Sequence, residues 1–184
     1  MIYFDATRLL EWTGRYTGME QVAYQLARLI VQREGRLVYF IPARGFIDVT
    51  TVVSWQDSAV TYEGARRGSL TQLAKSNPIA AVGELRRRLV LGKVQPVAFG
   101  SGDTFFTSDG LWDRQDYIDS LVHIGNTEAK FVHLVHDIVP IVVPHLVHDY
   151  MTGAMTEYFT KIAPYIDVLV SISRNTQTDF MSAF

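Results

Sequence analysis

The chain has 184 residues, no cysteine, and 17 basic against 19 acidic residues for a formal charge of −2. That length is one domain with a real core, and 48% apolar with 20% charged residues excludes intrinsic disorder. Without cysteine there is no disulfide framework, thiolate metal site or cysteine nucleophile.

The first apolar run, Ile2-Tyr3-Phe4, reads as a strand that ends at Asp5. Asp5 and Arg8 fall where a signal peptide needs its apolar stretch, and no run reaches the ~18 residues of a membrane span. A cytoplasmic setting is expected, although secretion stays open. After a loop with Gly14 and Gly18, the positions Met19, Val22, Ala23, Leu26, Leu29 and Ile30 recur at helical spacing. Thr17 and Glu20 have the spacing of a capping box, and Gly35 falls where a helix C-cap is expected. Residues 37–41 form a second strand, stopped by Pro42, so the first 41 residues make a βαβ unit with parallel strands.

Residues 47–55 are predicted as a further strand, and residues 80–91 as a helix. Between Gly64 and Val94 lie seven basic residues and one acid, while the rest of the chain has ten basic against eighteen acidic residues. This stretch is either an ordinary solvated surface or a contact with anionic lipid through Arg66, Arg67, Arg86, Arg87, Arg88 and Lys93. It lacks the interleaved aromatics that stack on bases, so no nucleic-acid partner is expected. Strands at 103–107, 130–135 and 167–171 then alternate with helices at 114–124 and 146–165, and Ser173 caps a last helix. The expected fold is α/β: a Rossmann-like three-layer domain around a mainly parallel sheet. The last helix reaches the terminus with Phe180, Met181 and Phe184 on an apolar face, and the chain is expected to be part of something larger.

In such sheets ligands bind beyond the carboxyl ends of the strands. The residues there are Asp5, the Gly14–Gly18 loop, Asp109, His136, Asp137, Ser173 and Arg174. The loop is neither a dinucleotide fingerprint nor a P-loop, yet it leads into a helix N-terminus that offers free N–H groups to a phosphate. His133-Leu-Val-His136-Asp and His145-Leu-Val-His148-Asp repeat the same five letters, but His133 and His136 are predicted to point to opposite faces of one strand. No metal site and no cofactor are expected. His136 suits proton exchange or hydrogen bonding with a bound hydroxyl, and Asp137 suits binding one. The alternative is that Asp137 caps the turn before Pro140 and His136 packs.

Taken in order, these segments resemble glycosyltransferase family 4. Tyr16-Thr17-Gly18-Met19-Glu20-Gln21-Val22-Ala23 resembles the family's glycine loop and first helix. His133-Leu-Val-His136-Asp137-Ile-Val-Pro140 is similar to its H-D-x-x-P segment, and the stretch from Leu169 to Phe180 resembles its V-S-x-x-T-x-x-D-L step. The stretch from Gly102 to Trp112 resembles the preceding strand in polysaccharide mannosyltransferase-like members. The resemblance implies that residues 1–184 are the N-terminal, acceptor-side half of a GT-B architecture. It implies retaining transfer of a mannose-like sugar from a nucleotide-sugar to a polysaccharide or lipopolysaccharide acceptor, free or lipid-linked, without a metal. Thr17 and Gly18 would approach the donor diphosphate, and His136 and Asp137 the transferred sugar. Asp5, Asp109, Ser173 and Arg174 are the remaining candidates for substrate binding. The donor-gripping domain would lie outside this chain, which alone would be inactive. The expected location is the cytoplasm, peripheral at the inner face of the membrane. A stand-alone Rossmann-like module that binds a ligand without catalysis is the alternative reading.

Overall fold

A computed structural model describes residues 1–12, 16, 18–56, 59–61, 95–108 and 111–184. The strands are β1 (Ile2–Asp5), β2 (Arg36–Ile41), β3 (Gly45–Asp48), β4 (Ser54–Gln56), β5 (Ala59–Thr61), β6 (Thr104–Thr107), β7 (Lys130–Val135) and β8 (Val168–Ser171). The helices are α1 (Thr7–Glu11), α2 (Gly18–Gln32), α3 (Gln115–Gly125), α4 (Val139–Val142), α5 (Asp149–Ile162) and α6 (Arg174–Ala183). Six strands form one sheet in the order β3-β2-β1-β6-β7-β8, parallel throughout except for β3 against β2. This is the expected α/β, Rossmann-like three-layer arrangement.

Side-chain alternation along β2 divides the core. Leu37 and Tyr39 join Phe4 and Ile47 beneath α1 and α2. Val38 and Phe40 join Phe105 and Phe131 on the opposite face, packed with Tyr117, Tyr158 and Phe180 from α3, α5 and α6. Phe105 and Phe131 are fully buried, and burial of such a side chain contributes roughly 1.5–3 kcal/mol. Order reverses at β1, because the chain leaves it toward β2 on one side and returns as β6 on the other. The crevice of a doubly wound sheet opens at such a point.

Several elements differ from expectation. The strand predicted over 47–55 is broken in two. Asp48 Oδ1 accepts from the Thr50 amide (2.8 Å) and turns the chain, so β3 pairs with β2 and β4 pairs with β5 in a separate hairpin. Only three residues join β2 to β3, with Ala43 at φ 61° and Gly45 at φ 83°, which permits an antiparallel partner alone. The helix predicted over 146–165 is confined to α5 between two 3₁₀ turns, Pro144–Leu146 and Ala163–Tyr165. Its start is set by His148, whose Nδ1 accepts from the Tyr150 amide (3.2 Å), and Pro164 ends the regular hydrogen bonding. The helix predicted over 80–91 lies outside the described residues.

The C-terminus of α2 is closed differently from expectation too. The left-handed residue is Glu34 (φ 64°), and Gly35 follows it. Glu34 N–H donates to Val31 O (3.1 Å) and Gly35 N–H to Ile30 O (2.8 Å), the two bonds of a Schellman motif. Gly35 is needed for space: a Cβ there would collide with the Ile30 side chain and stand 3.0 Å from the Ile2 carbonyl oxygen. Glu34 is exposed and carries the conformational cost itself. Glu34→Gly is therefore expected to stabilise the protein by about 1 kcal/mol in chemical denaturation, and Gly35→Ala to destabilise it.

Candidate functional site

Parallel register decides which residues reach the carboxyl edge. Thr107, the last residue of β6, pairs with His133, so β7 runs two residues further and delivers His136 just beyond the edge. A cavity of about 160 Å³ opens there, between the end of β7, Ser108 after β6, Met19 in the first turn of α2, and Met151 and Met155 of α5. Its remaining walls include Trp112, His133, Asp137, Pro140 and Phe159. A larger groove of about 640 Å³ lies between α5, α6 and the β8 side, but it is bordered by apolar groups and threonines and holds no titratable side chain.

His136 is only 8% exposed, and its Nε2 is buried without a hydrogen-bond partner. Among the described residues the one other buried side-chain polar atom so placed is Arg8 Nε. Burial pushes the His136 imidazole below its ordinary 6.5, against the opposing pull of Asp137 and Glu20. It is therefore neutral at pH 7 and can present either a donor or an acceptor at Nε2. Its backbone is fixed as well, since its carbonyl accepts from Thr176 Oγ1 (3.2 Å) at the start of α6. An orphaned nitrogen in a buried position costs about 1–3 kcal/mol until a ligand or water meets it.

The histidine pair was expected on opposite faces, yet both His133 and His136 border this cavity. The strand ends at Val135, so alternation no longer governs residue 136. His133 is committed to the core. Its Nδ1 donates to Leu134 O (3.1 Å), and its Nε2 accepts from Tyr158 OH (2.9 Å). Burial first, and the His136 neighbour to a lesser degree, hold it down to about 3. No cluster of metal-ligating side chains occurs among the described residues.

The other expected residues are distributed as follows. Asp137 is exposed at the cavity rim, and its Oδ1 accepts from the Val139 amide (3.1 Å), the turn-capping contact of the alternative reading. Gly18 opens α2 beside Met19, and a Cβ added there would meet no atom within 4 Å, so the backbone is open to close approach. Thr17 and Asp109 lie outside the described residues, as do Arg66, Arg67, Arg86, Arg87, Arg88 and Lys93. Ser173 is the N-cap of α6, accepting from the Thr176 amide (3.1 Å), and Arg174 follows it, exposed.

Asp5 stands at the switch point but is 7% exposed and turned inward. Its Oδ1 accepts from Thr7 N–H (2.9 Å) and Thr7 Oγ1 (2.6 Å), and its Oδ2 from Thr107 Oγ1 (3.3 Å) and the Tyr117 hydroxyl. A carboxylate has about four acceptor positions, and here all are taken by the protein. Asp5 thus ties β1, β6, α1 and α3 together and leaves nothing for a substrate. Sequence reasoning placed Ser108 and Trp112 only within the strand-end stretch 107–112 and did not assign the three methionines to a site. They come from three separate segments, the β6–α3 connection, α2 and α5, and no spacing pattern announces their meeting.

No protein family and no curated protein matches this chain. Its function rests on the site itself.

Proposed function

We propose that this chain is the acceptor-side Rossmann-like half of a GT-B glycosyltransferase, a retaining hexosyltransferase that uses a nucleotide-sugar. One observation carries the reading: His136, neutral at pH 7 and with a buried, unpartnered Nε2, borders a cavity at a strand's carboxyl end that the first turn of α2 also borders. That combination suits a hydroxyl at His136 and a donor phosphate near the N-terminus of α2 at Gly18, where the helix dipole favours an anion. Asp137 at the rim has a second carboxylate oxygen to offer a sugar hydroxyl. The resemblance of the His133–Pro140 and Tyr16–Ala23 segments to glycosyltransferase family 4 supports the same assignment, with a mannose-like sugar and a polysaccharide or lipopolysaccharide acceptor as its substrates.

The test is sugar transfer by the complete gene product with a panel of nucleotide-sugars. His136→Ala is expected to lower kcat by roughly 10²–10⁴-fold with little change in Tm. Transfer at the normal rate would reduce His136 to packing and overturn the reading.

A lipid-linked acceptor would be met at a membrane surface, and the basic residues from Arg66 to Lys93 are the part of the chain with charge for it. Each basic residue near an anionic surface is worth about 1 kcal/mol, screened over a Debye length of about 8 Å at physiological salt. Sedimentation with anionic vesicles at low salt, lost at high salt and absent with neutral vesicles, is the expected result. No helix among the described residues is long and apolar enough to cross a membrane. Equal partitioning to both vesicle types would remove the basic stretch from the proposal.

A further inference from the structure

Exposed apolar side chains gather where the chain leaves β7 and enters α5. Val139 and Val142 of α4, Leu146 of the 3₁₀ turn Pro144–Leu146 and Tyr150 at the start of α5 are all exposed, Leu146 to 70% and Tyr150 to 60%. Leu146 is the most exposed of the large apolar side chains described. Single apolar residues scattered over a surface are ordinary, but these four belong to one small unit.

That unit is held in place. α4, the 3₁₀ turn and α5 pack on one another. Leu146 N–H donates to Val143 O (3.0 Å) and Val147 N–H to Pro144 O (3.2 Å), which closes the turn. Thr152 Oγ1 donates to Pro140 O (2.8 Å) and ties α5 to α4, while Ile138 and Pro140 are buried. A fixed backbone thus displays the apolar side chains, and little has to be ordered when a partner covers them.

Charge around the unit has one sign. From Leu134 to Tyr150 there is no lysine or arginine, and the acidic residues are Asp137 and Asp149, both exposed. Tyr150 OH donates to Asp113 Oδ2 (3.0 Å), which draws a third carboxylate to the same edge. Arg114 does not offset it, because its guanidinium pairs with Glu11 (3.4 Å) and lies over the Phe40 ring. His145 and His148 are exposed here as well, and His148 Nδ1 accepts from the Tyr150 amide and so carries no proton at that atom. An apolar patch inside an acidic rim is complementary to an apolar patch inside a basic one. The same carboxylates repel an anionic lipid surface.

We propose that the surface from Val139 to Tyr150 docks a second protein that presents an apolar stripe flanked by lysine or arginine, with Leu146 as the anchor. The inference goes beyond the transferase reading and does not rest on it, since it needs neither the His136 cavity nor a sugar.

The experiment measures, by fluorescence anisotropy on the whole chain, binding of a labelled amphipathic Leu/Lys peptide and of a Leu/Glu peptide with the same apolar pattern. The Leu/Lys peptide is expected to saturate and to bind at least about tenfold more tightly than Leu/Glu. Its affinity is expected to fall with added salt, as the Debye length shrinks from about 10 Å at 0.1 M to about 3 Å at 1 M. Val142→Ser and Leu146→Ser are each expected to weaken it about tenfold or more with unchanged Tm. Leu29→Ser, at an exposed apolar position on α2, is expected to leave the affinity as it was. Equal affinity for the two peptides, full affinity in both strip variants, or no saturable binding at all would overturn the proposal. Dimerisation lost in Leu146→Ser, without peptide binding, would overturn it in favour of a second copy of this chain. Leu146-dependent partition into neutral vesicles, again without peptide binding, would overturn it in favour of a membrane. Peptide binding that appears only when Arg86, Arg87 and Arg88 are all replaced by Ser would overturn it in favour of the chain's own basic stretch.

Discussion

Asp5→Ala is expected to destabilise the protein by about 3–5 kcal/mol, measured by urea denaturation. The carboxylate accepts four hydrogen bonds in a nearly waterless place, from Thr7 twice, Thr107 and Tyr117. Removing it takes the carboxylate partner from the Thr7 amide and from the Thr7, Thr107 and Tyr117 hydroxyls at the junction of β1, β6, α1 and α3. Each stranded buried group costs about 1–3 kcal/mol, and partial rearrangement of the hydroxyls keeps the total below the full sum. Thr7 has a further duty, since its Oγ1 accepts from the Phe40 amide (2.9 Å) and so carries the effect into β2. A substrate-binding Asp5 would behave in the opposite way: its loss would weaken ligand affinity and spare stability. A destabilisation under 1 kcal/mol would reject the assignment of Asp5 as the pin of the switch point.

The second large effect is on acid stability, and it comes from His133. Its native pKa is about 3 against 6.5 for the ordinary group. Below pH 6.5 the unfolded chain takes up a proton that the native state refuses, so stability is lost progressively as pH falls toward 3. The full interval corresponds to about 5 kcal/mol, at ~1.4 kcal/mol per pH unit. His136, also held below 6.5 by burial, adds to the same slope. Asp5 acts with the opposite sign. Burial raises it above 3.8 despite its four donors, so its linkage favours the fold below pH 3.8 and weakens as pH rises through the native value. Comparison with His133→Gln isolates the histidine. The wild type is expected to lose stability on acidification more steeply by one proton's slope, and parallel curves would show that His133 titrates normally.

Much of the fold was legible because it depends on local pattern. The strands at 2–5, 36–41, 104–107, 130–135 and 168–171 and the helices α2 and α3 follow from apolar runs and helical spacing that tertiary contacts reinforce. The errors arose where one side-chain contact overrode a run of suitable residues, as Asp48 does at Thr50 and His148 does at the start of α5. The short α1 and α4 went unpredicted, being only five and four residues long. Elements of that length have no period to read.

At the site, the sequence by itself determined that His136 and Asp137 follow a strand, that Gly18 opens a helix, and that Ser173 caps one. It also placed Asp5 at the end of β1, but only the folded chain decided which way the carboxylate points. Register did the same for the histidines: two residues of overhang on β7 free His136 from strand alternation and bring it to the wall that His133 borders. The methionine lining could be decided only by tertiary structure. Residues 19, 151 and 155 meet because α2 and α5 converge on the same carboxyl edge, and apolar side chains carry no sequence mark that separates a cavity wall from a filled core.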